Sequence, residues 1–267
     1  MKRFRIITMA MLAVSLCVNF SSCSKEESIS TPQYELAPGK RLTQIELTLS
    51  NHDSDYRETW DFEYDSEGKL IESTYTDENG NIRQYKYTWN NNSIEVYEKF
   101  AYRNESINDQ EYVSGANYNL KNGLIQKSEL KYNEDGHPVK DGSATFMWDE
   151  DALSRVTSES YTTENTKVVF GIQMYYSANT ASCNGYNPYI PLNYSPISGS
   201  FITIAHPEIA GMRSNKIPNR YLDWDPLHGG TTQGTYSHRL DNDGYIAEFR
   251  IKENSSYIEE VYTMTWK

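Results

Sequence analysis

The feature that most restricts what this chain can fold into is a phrase it writes three times: YDSEGKLIE from Tyr64, YNEDGHPVK from Tyr132 and LDNDGYIAE from Leu240. With the glycines in register, TDENGNIRQ from Thr76 joins them, as do WNNNSIEVY from Trp89 and WDEDALSRV from Trp148, with Ser93 and Ala152 in the glycine place. In each copy an alternating run ends, residues rich in Asp, Asn and Glu follow, a Gly or other small residue comes next, and a new alternating run begins. Asp and Asn hold the first corner of a type I turn by bonding to the backbone ahead, and Gly takes the positive φ that closes a four-residue hairpin loop. The phrase therefore predicts β-hairpins joined in sequence order.

The runs between the turns agree. Trp60, Phe62 and Tyr64 alternate with Asp61 and Glu63; Tyr85, Tyr87 and Trp89 repeat the pattern, as do Val168, Phe170, Ile172, Met174 and Tyr176, and Tyr245, Ala247, Phe249 and Ile251. Period-two alternation means antiparallel strands with one buried and one wet face. The expectation is an all-β, antiparallel up-and-down meander of about a dozen strands. A sheet of that width must curl, split or close. We expect a closed or strongly curved barrel-like sheet, with a stacked sandwich of the same hairpins as the alternative.

The N-terminus sets the compartment. Lys2, Arg3 and Arg5 precede an apolar run from Ile6 to Val18, too short to span a bilayer and ordered like a secretory signal peptide. Small Ser21 and Ser22 stand before Cys23, as in a lipoprotein signal peptide, whereas bulky Leu16 stands before Cys17. We expect a signal peptide over 1–22, acylation at Cys23, a polar tether over 23–40 and a single barrel-like domain over 41–267. The residues Ser24 to Glu27 resemble the short Lys-plus-acidic signal by which Bacteroidota-type lipoproteins are displayed on the outer face of the outer membrane. Removing 1–22 takes three of 25 basic residues and no acidic ones, leaving 22 against 37 and a net charge of −15. Such a surface repels phosphates, so no nucleic-acid partner is expected. With Cys23 acylated, Cys183 is left without a disulfide partner, and the body must depend on its core.

Two resemblances follow. Phe62 to Trp89 resembles the tyrosine-aspartate hairpin repeats of large shell-forming polypeptides. The whole mature chain is similar to a Bacteroidota lipoprotein family of unknown function with a porin-like β-barrel fold; the likeness runs from about Arg41 to Lys267. It rests on the lipoprotein start, the scattered hairpin repeats, the segment AHPEIAGMRSNKIPNRY and the final strand with Tyr262, Met264 and Trp266. It implies a fold and no activity.

Porin-like geometry does not oblige a chain to cross lipid. Membrane strands need about 9–11 residues with an apolar outward face. Here many runs are shorter, and the faces opposite the aromatic stripes carry Asp61, Glu63, Lys127, Glu129, Lys131, Glu248 and Arg250. With those charges outside, the barrel is water-facing; with them inside, it is a polar pore. The acyl anchor favours the first.

Function has few places to sit. The hairpins break over 178–230, an irregular insert holding six of the nine prolines. Its segment CNGYNPYIPLNYSPISG is expected as a long shaped loop, and ITIAHPEIAGM as one short helix with Pro207 in its first turn and Gly211 at its end. The insert either plugs a wide barrel or binds a ligand. Tyr and Trp stack on sugar rings, so Tyr186, Tyr189, Tyr194, Tyr221 and Trp224 are the candidates for a carbohydrate contact; the competing expectation packs the same rings on the sheet. Asp223, Asp225 and His228 are weak metal candidates with no partner cluster at diagnostic spacing, and no cofactor is expected. The DNDG turn lacks the first and last acidic ligands of a calcium loop, with Arg239 and Arg250 in their places. No serine elbow, HExxH or phosphate loop is present, and His52, His137, His206, His228 and His238 are scattered. The reading is a non-enzymatic binding or assembly module of the cell envelope, held to the outer membrane through Cys23. Its partner is a carbohydrate or an envelope protein. The alternatives are a glycoside-type hydrolase using paired carboxylates, an enzyme with His228 and Asp225 in acid and base roles, and a structural partner in an outer-membrane complex or polar pore.

Overall fold

The computed structural model describes residues 39–51, 55–161, 165–197, 201–226 and 230–267; the segment expected as signal peptide, the expected tether up to residue 38, Cys23, His52 and His228 lie outside them. The described chain forms sixteen strands: β1 Leu42–Ser50, β2 Arg57–Tyr64, β3 Leu70–Thr76, β4 Ile82–Trp89, β5 Ser93–Ala101, β6 Val113–Lys121, β7 Leu124–Gln126 and β8 Leu130–Tyr132, then β9 Pro138–Asp141, β10 Ala144–Asp149, β11 Ala152–Tyr161, β12 Lys167–Tyr175, β13 Arg220–Asp225, β14 Gly230–Leu240, β15 Ile246–Glu253 and β16 Glu259–Trp266. Two short helices, α1 Tyr189–Tyr194 and α2 Ile202–Ala205, lie between β12 and β13. All strands belong to one sheet in which every neighbour pair but one is consecutive in sequence, and all pairings are antiparallel. The exception joins the ends, since β1 runs beside β16 from Leu42 opposite Trp266 to Ser50 opposite Glu259.

The barrel is thus nearly closed, and its one unpaired seam falls between β7 and β8, which are neighbours in the chain. Sixteen strands exceed the expected dozen because β7, β8 and β9 are only three or four residues long, too short to show a period. Pro138 is tolerated as the first residue of its strand.

The recurring turn has one geometry in its four glycine copies. Asp65 Oδ1 accepts the backbone N–H groups of Glu67 and Lys69, both at 2.9 Å, and Gly68 N–H donates to Asp65 O at 3.0 Å with φ +81°. Asp77 and Asp241 repeat the whole set, and Asn133 accepts from His137 N–H in the same way. The Asp65 N–H bonds Lys69 O, so the ladder closes over three residues with a glycine bulge, one fewer than expected. The two copies without glycine are tighter: Asn90 N–H bonds Ser93 O, and Asp149 stands directly opposite Ala152. Ser93 and Ala152 therefore open strands and do not stand in for the glycine.

The aromatic residue closing each run has a second task. Tyr64 donates its hydroxyl to Leu42 O, Trp89 its indole N–H to Leu70 O, Tyr132 to Ile125 O, Trp148 to Pro138 O, Tyr176 to Leu153 O and Trp266 to Ile246 O, all at 2.7–2.9 Å. Each bond runs from the end of an even-numbered strand to the odd-numbered strand before it. A ring of aromatic bodies with satisfied polar tips results, lining the turn end of the barrel. Tyr132 spans the seam itself, from β8 to a β7 carbonyl.

The buried faces are those predicted by alternation: Trp60, Phe62, Tyr85, Tyr87, Ile172, Met174, Phe249 and Ile251 all point inward. The outer wall is polar. Gln44 bonds Asp61 at 2.7 Å, Arg57 pairs with Glu46 at 2.5 Å, and Arg250 reaches Glu248 at 2.7 Å and Glu259 at 3.2 Å.

The lumen is filled by the insert, which the structure shows to be shorter than 178–230, because β13 resumes the sheet at Arg220. Pro191 lies within the first turn of α1, so the Tyr–Pro segment expected as pure loop carries one helical turn and a half. The second helical segment breaks at His206, giving α2 and then a 3-10 turn over Pro207–Ala210 capped by Gly211 at φ +69°. Ile190, Ile202, Ile209 and Met212 are fully buried. Each buried Ile contributes about 1.5–3 kcal/mol. His206 sits edge-on to Tyr64 and Trp89, accepts Leu70 N–H on Nε2 at 3.1 Å and so holds its proton on Nδ1, which faces Glu208 at 3.3 Å. Beside the seam, His137 is stacked on Trp148 with ring centroids 4.2 Å apart. Its Nδ1 donates to Gly211 O at 2.8 Å, because a carbonyl can only accept.

Candidate functional site

The structure separates the five aromatic candidates. Tyr189 is in the core, stacked on Phe249 at 4.5 Å and edge-on to Tyr236 and Tyr262. Tyr194 packs edge-on against it, half-buried. Tyr221 points inward from β13 and is buried, its ring lying over Gly234, where an added Cβ would come within 2.3 Å of it. For these three the competing expectation, rings packed on the sheet, describes their surroundings. Trp224 alternates to the outer wall, opposite Gly171, with the Arg155 guanidinium 5.7 Å from its ring centre. It shares no surface with the others, because Tyr221 and Trp224 are three residues apart on one strand and so face opposite ways.

Tyr186 is the candidate that lines an open cleft. The cleft lies at the turn end, between the start of β1, the end of β16 and the insert, and is walled by Lys40, Arg41, Tyr186, Pro188, Glu208 and Trp266. Lys40 is drawn to Asp243 at 2.5 Å and Asp241 at 3.4 Å. Glu208 is nearly buried and turned to His206. The Tyr186 phenol is pushed up by burial and by Glu208, while Arg213 draws it down and Asp151 raises it again. Two aromatic faces, two cations and one carboxylate thus border one narrow opening. Glu208 and Arg213 stood in the sequence only within the segment AHPEIAGMRSNKIPNRY, and Trp266 only at the end of the final strand; none was expected as a site residue. Trp266 carried a usable signal, as the aromatic that ends the last alternating run.

At the opposite rim Asp223 and Asp225 alternate inward from β13, while His228 lies outside the described residues. Among the described residues no three His, Cys, Asp or Glu converge as a metal site. On the same rim Glu58 accepts hydrogen bonds from Tyr56 and, at 3.0 Å, from Tyr75; burial raises its carboxyl above the ordinary range, against the pull of both phenols. Cys183 is buried, its thiol pushed up to about 12, so it is no nucleophile at neutral pH.

No family model and no curated protein matches the sequence. Among solved structures, the chain is similar to a porin-like protein from Bacteroides uniformis at 13% identity and a TM-score of 0.51, covering 88% of this chain and all of that one. It is also similar to a porin-like protein from Bacteroides vulgatus, at 11% identity and a TM-score of 0.38, over 84% of this chain and 98% of that one. At such identity the first likeness is one of fold: a porin-like, nearly closed, antiparallel barrel. The turns and alternating runs predicted its antiparallel meander, and the family resemblance implied the porin-like barrel.

Proposed function

We propose that this protein is a non-enzymatic binding module of the cell envelope, exported on residues 1–22, anchored through acylated Cys23, and taking carbohydrate at the cleft around Tyr186. The observation that carries this reading is the polarity of the barrel. Its inside is apolar and occupied by the insert, and its outside is charged at positions such as Glu46, Arg57, Asp61 and Glu248. A conduit needs a wet lumen, and a membrane barrel needs an apolar outer band. A filled, water-facing barrel is instead a rigid platform for the surface its loops present. Binding is favoured over hydrolysis because, among the described residues, the one carboxylate in the cleft wall itself is Glu208, which is turned to His206, while Asp241 and Asp243 are held by Lys40.

The test has two arms. With Cys23→Ser, the body should leave the membrane fraction in buffer without detergent; retention there would mean that the barrel itself sits in lipid. On a glycan array the soluble body should bind a subset of sugars, and Tyr186→Ala should abolish this without lowering the melting temperature. A second reading, a contact partner in an envelope assembly, is favoured by the rim opposite the insert, where Tyr102, Val113 and Tyr257 are 63%, 58% and 91% exposed. Co-purification of a stoichiometric partner from mild detergent would support it.

A further inference from the structure

Trp224 is the aromatic candidate that neither the packed lumen nor the cleft accounts for. It faces outward from β13, half-buried, in a row formed with Gly171 of β12 and Thr157 of β11. The next outward row toward the turn end holds Leu222, Gln173, Arg155 and Met147, and the row after it Arg220 and Tyr175. Gly171 gives the Trp224 ring its shelf. An added Cβ there would come within 2.2 Å of Val156 O and 3.1 Å of Trp224 Cζ2, so the indole occupies the room a side chain would need. Tyr175 and Met147 are exposed, as are Tyr161 and Val169 further along the same wall. A band of rings and apolar groups on a wall that is otherwise polar marks a contact surface. Two cations belong to the band. The Arg155 guanidinium lies 5.7 Å from the Trp224 ring centre, and that of Arg220 4.7 Å from the ring centre of Tyr175. Arg155 Nε donates to Gln173 Oε1 at 2.6 Å, which fixes its direction along the wall. Among the described residues neither guanidinium pairs with a carboxylate, and Glu159, outward on β11, is held by Lys167 at 2.7 Å. Two cations without a counter-charge thus stand beside rings on a chain whose net charge is −12.

We propose that the outer wall of β11–β13 binds an extended acidic polysaccharide, with sugar rings on Trp224 and Tyr175 and carboxylates on Arg155 and Arg220. The site is separate from the Tyr186 cleft and stands independently of the carbohydrate reading given to it. Aromatic faces take the C–H face of a pyranose, and a guanidinium fork takes a carboxylate in two parallel bonds. Trp224 and Tyr175 lie one strand apart and four residues apart along the ladder, a span of roughly 14 Å. That exceeds one sugar ring and suits a short run of them. An open wall also encloses no small ligand, so contact has to come from length. The centre of the band argues against a protein or lipid partner, which would want it dry and apolar: Gln173, Arg155 and Thr157 lie between the rings and on either side of them. Charge decides between neutral and acidic chains, because an anionic ligand supplies the counter-charge that the protein leaves out.

The experiment is calorimetric titration of the Cys23→Ser chain with oligogalacturonate, with a neutral cello-oligosaccharide and with polyglutamate, which supplies carboxylates without sugar rings. Oligogalacturonate should bind at least about tenfold more tightly than either, since it alone engages rings and cations together. Trp224→Ala and Arg155→Gln should each weaken it about tenfold, and Tyr186→Ala should leave it unchanged. High salt should reduce the binding without abolishing it. Should Trp224→Ala lower the melting temperature, Arg155→Gln decides by itself, because that side chain is exposed. No binding of oligogalacturonate, equal binding of either control polymer, or binding that both wall variants leave unmoved overturns the inference. Loss of binding in Tyr186→Ala instead would move the ligand to the cleft, overturning this site and leaving the carbohydrate reading in place. A dimer in light scattering that Trp224→Ala dissociates, or vesicle binding that the same variant abolishes, would give the wall to a second copy or to lipid and overturn it as well.

Discussion

Replacing Gly211 by alanine tests how the insert is locked into the barrel. Gly211 stands at φ +69°, where a side chain costs about 1–2 kcal/mol. The larger part is steric: an added Cβ would lie 2.0 Å from Gly136 O and 3.1 Å from Pro138 Cδ. The nearest atom is backbone held in a hydrogen-bonded turn, so no rotamer relieves the collision and the insert must lift from the seam. Lifting also breaks the His137 bond to Gly211 O, worth about 1 kcal/mol net. Together Gly211→Ala should cost about 3–5 kcal/mol. Gly230 is the control, at φ +81° with nothing among the described residues within 4 Å of its added Cβ. There alanine should cost only the backbone part, about 1 kcal/mol. Urea unfolding followed by tryptophan fluorescence reads both, and the midpoint should fall far more for Gly211→Ala at unchanged slope. Equal losses at the two sites would refute the claim that the seam is held by close contact with the insert.

Two further outcomes are expected. The Tyr236 hydroxyl is buried without a well-formed partner, so Tyr236→Phe should leave stability unchanged or raise it by about 1 kcal/mol; a clear loss in thermal unfolding would show that the hydroxyl is bonded. Glu58 binds its proton more tightly in the folded state, so its contribution is present in acid and is lost as pH rises through the raised folded value. Glu58→Gln should therefore gain on the wild type as pH goes from about 4 to 7, and a stability difference that stays constant with pH would contradict this.

The sequence discloses what is local and hides what is not. An Asp or Asn three residues before a Gly specifies its own turn, since every bond that builds it lies within five residues, and the turns together dictate the meander. The position of the seam was illegible, because it depends on whether β7 and β8 twist apart, and nothing in LIQ or LKY records that. Strand β13 was hidden in the proline-rich segment, since RYLDWD mixes both faces' residue types. Once it is known to be a strand, parity alone sends Tyr221 inward and Trp224 outward. Tyrosine was the ambiguous letter: it plugs at Tyr189, bridges strands at Tyr64 and Tyr132, and borders a cleft at Tyr186, and one alphabet symbol cannot distinguish these settings.

The pairing of β1 with β16 has a consequence for how this barrel is assembled. Arg41 and Lys267 exchange two backbone hydrogen bonds across it, at 2.6 and 2.9 Å, so the wall cannot be completed until residues 259–267 have been delivered. The gap in the hydrogen-bond circuit, by contrast, sits at 127–129, where the polypeptide is continuous. A rearranged gene that splices Lys267 to Lys40 through a short linker and begins at Glu129 would bring both kinds of break to the same place. Such a permutant would fold from a ladder whose partners are all nearest neighbours along the chain, removing the slowest pairing from the route.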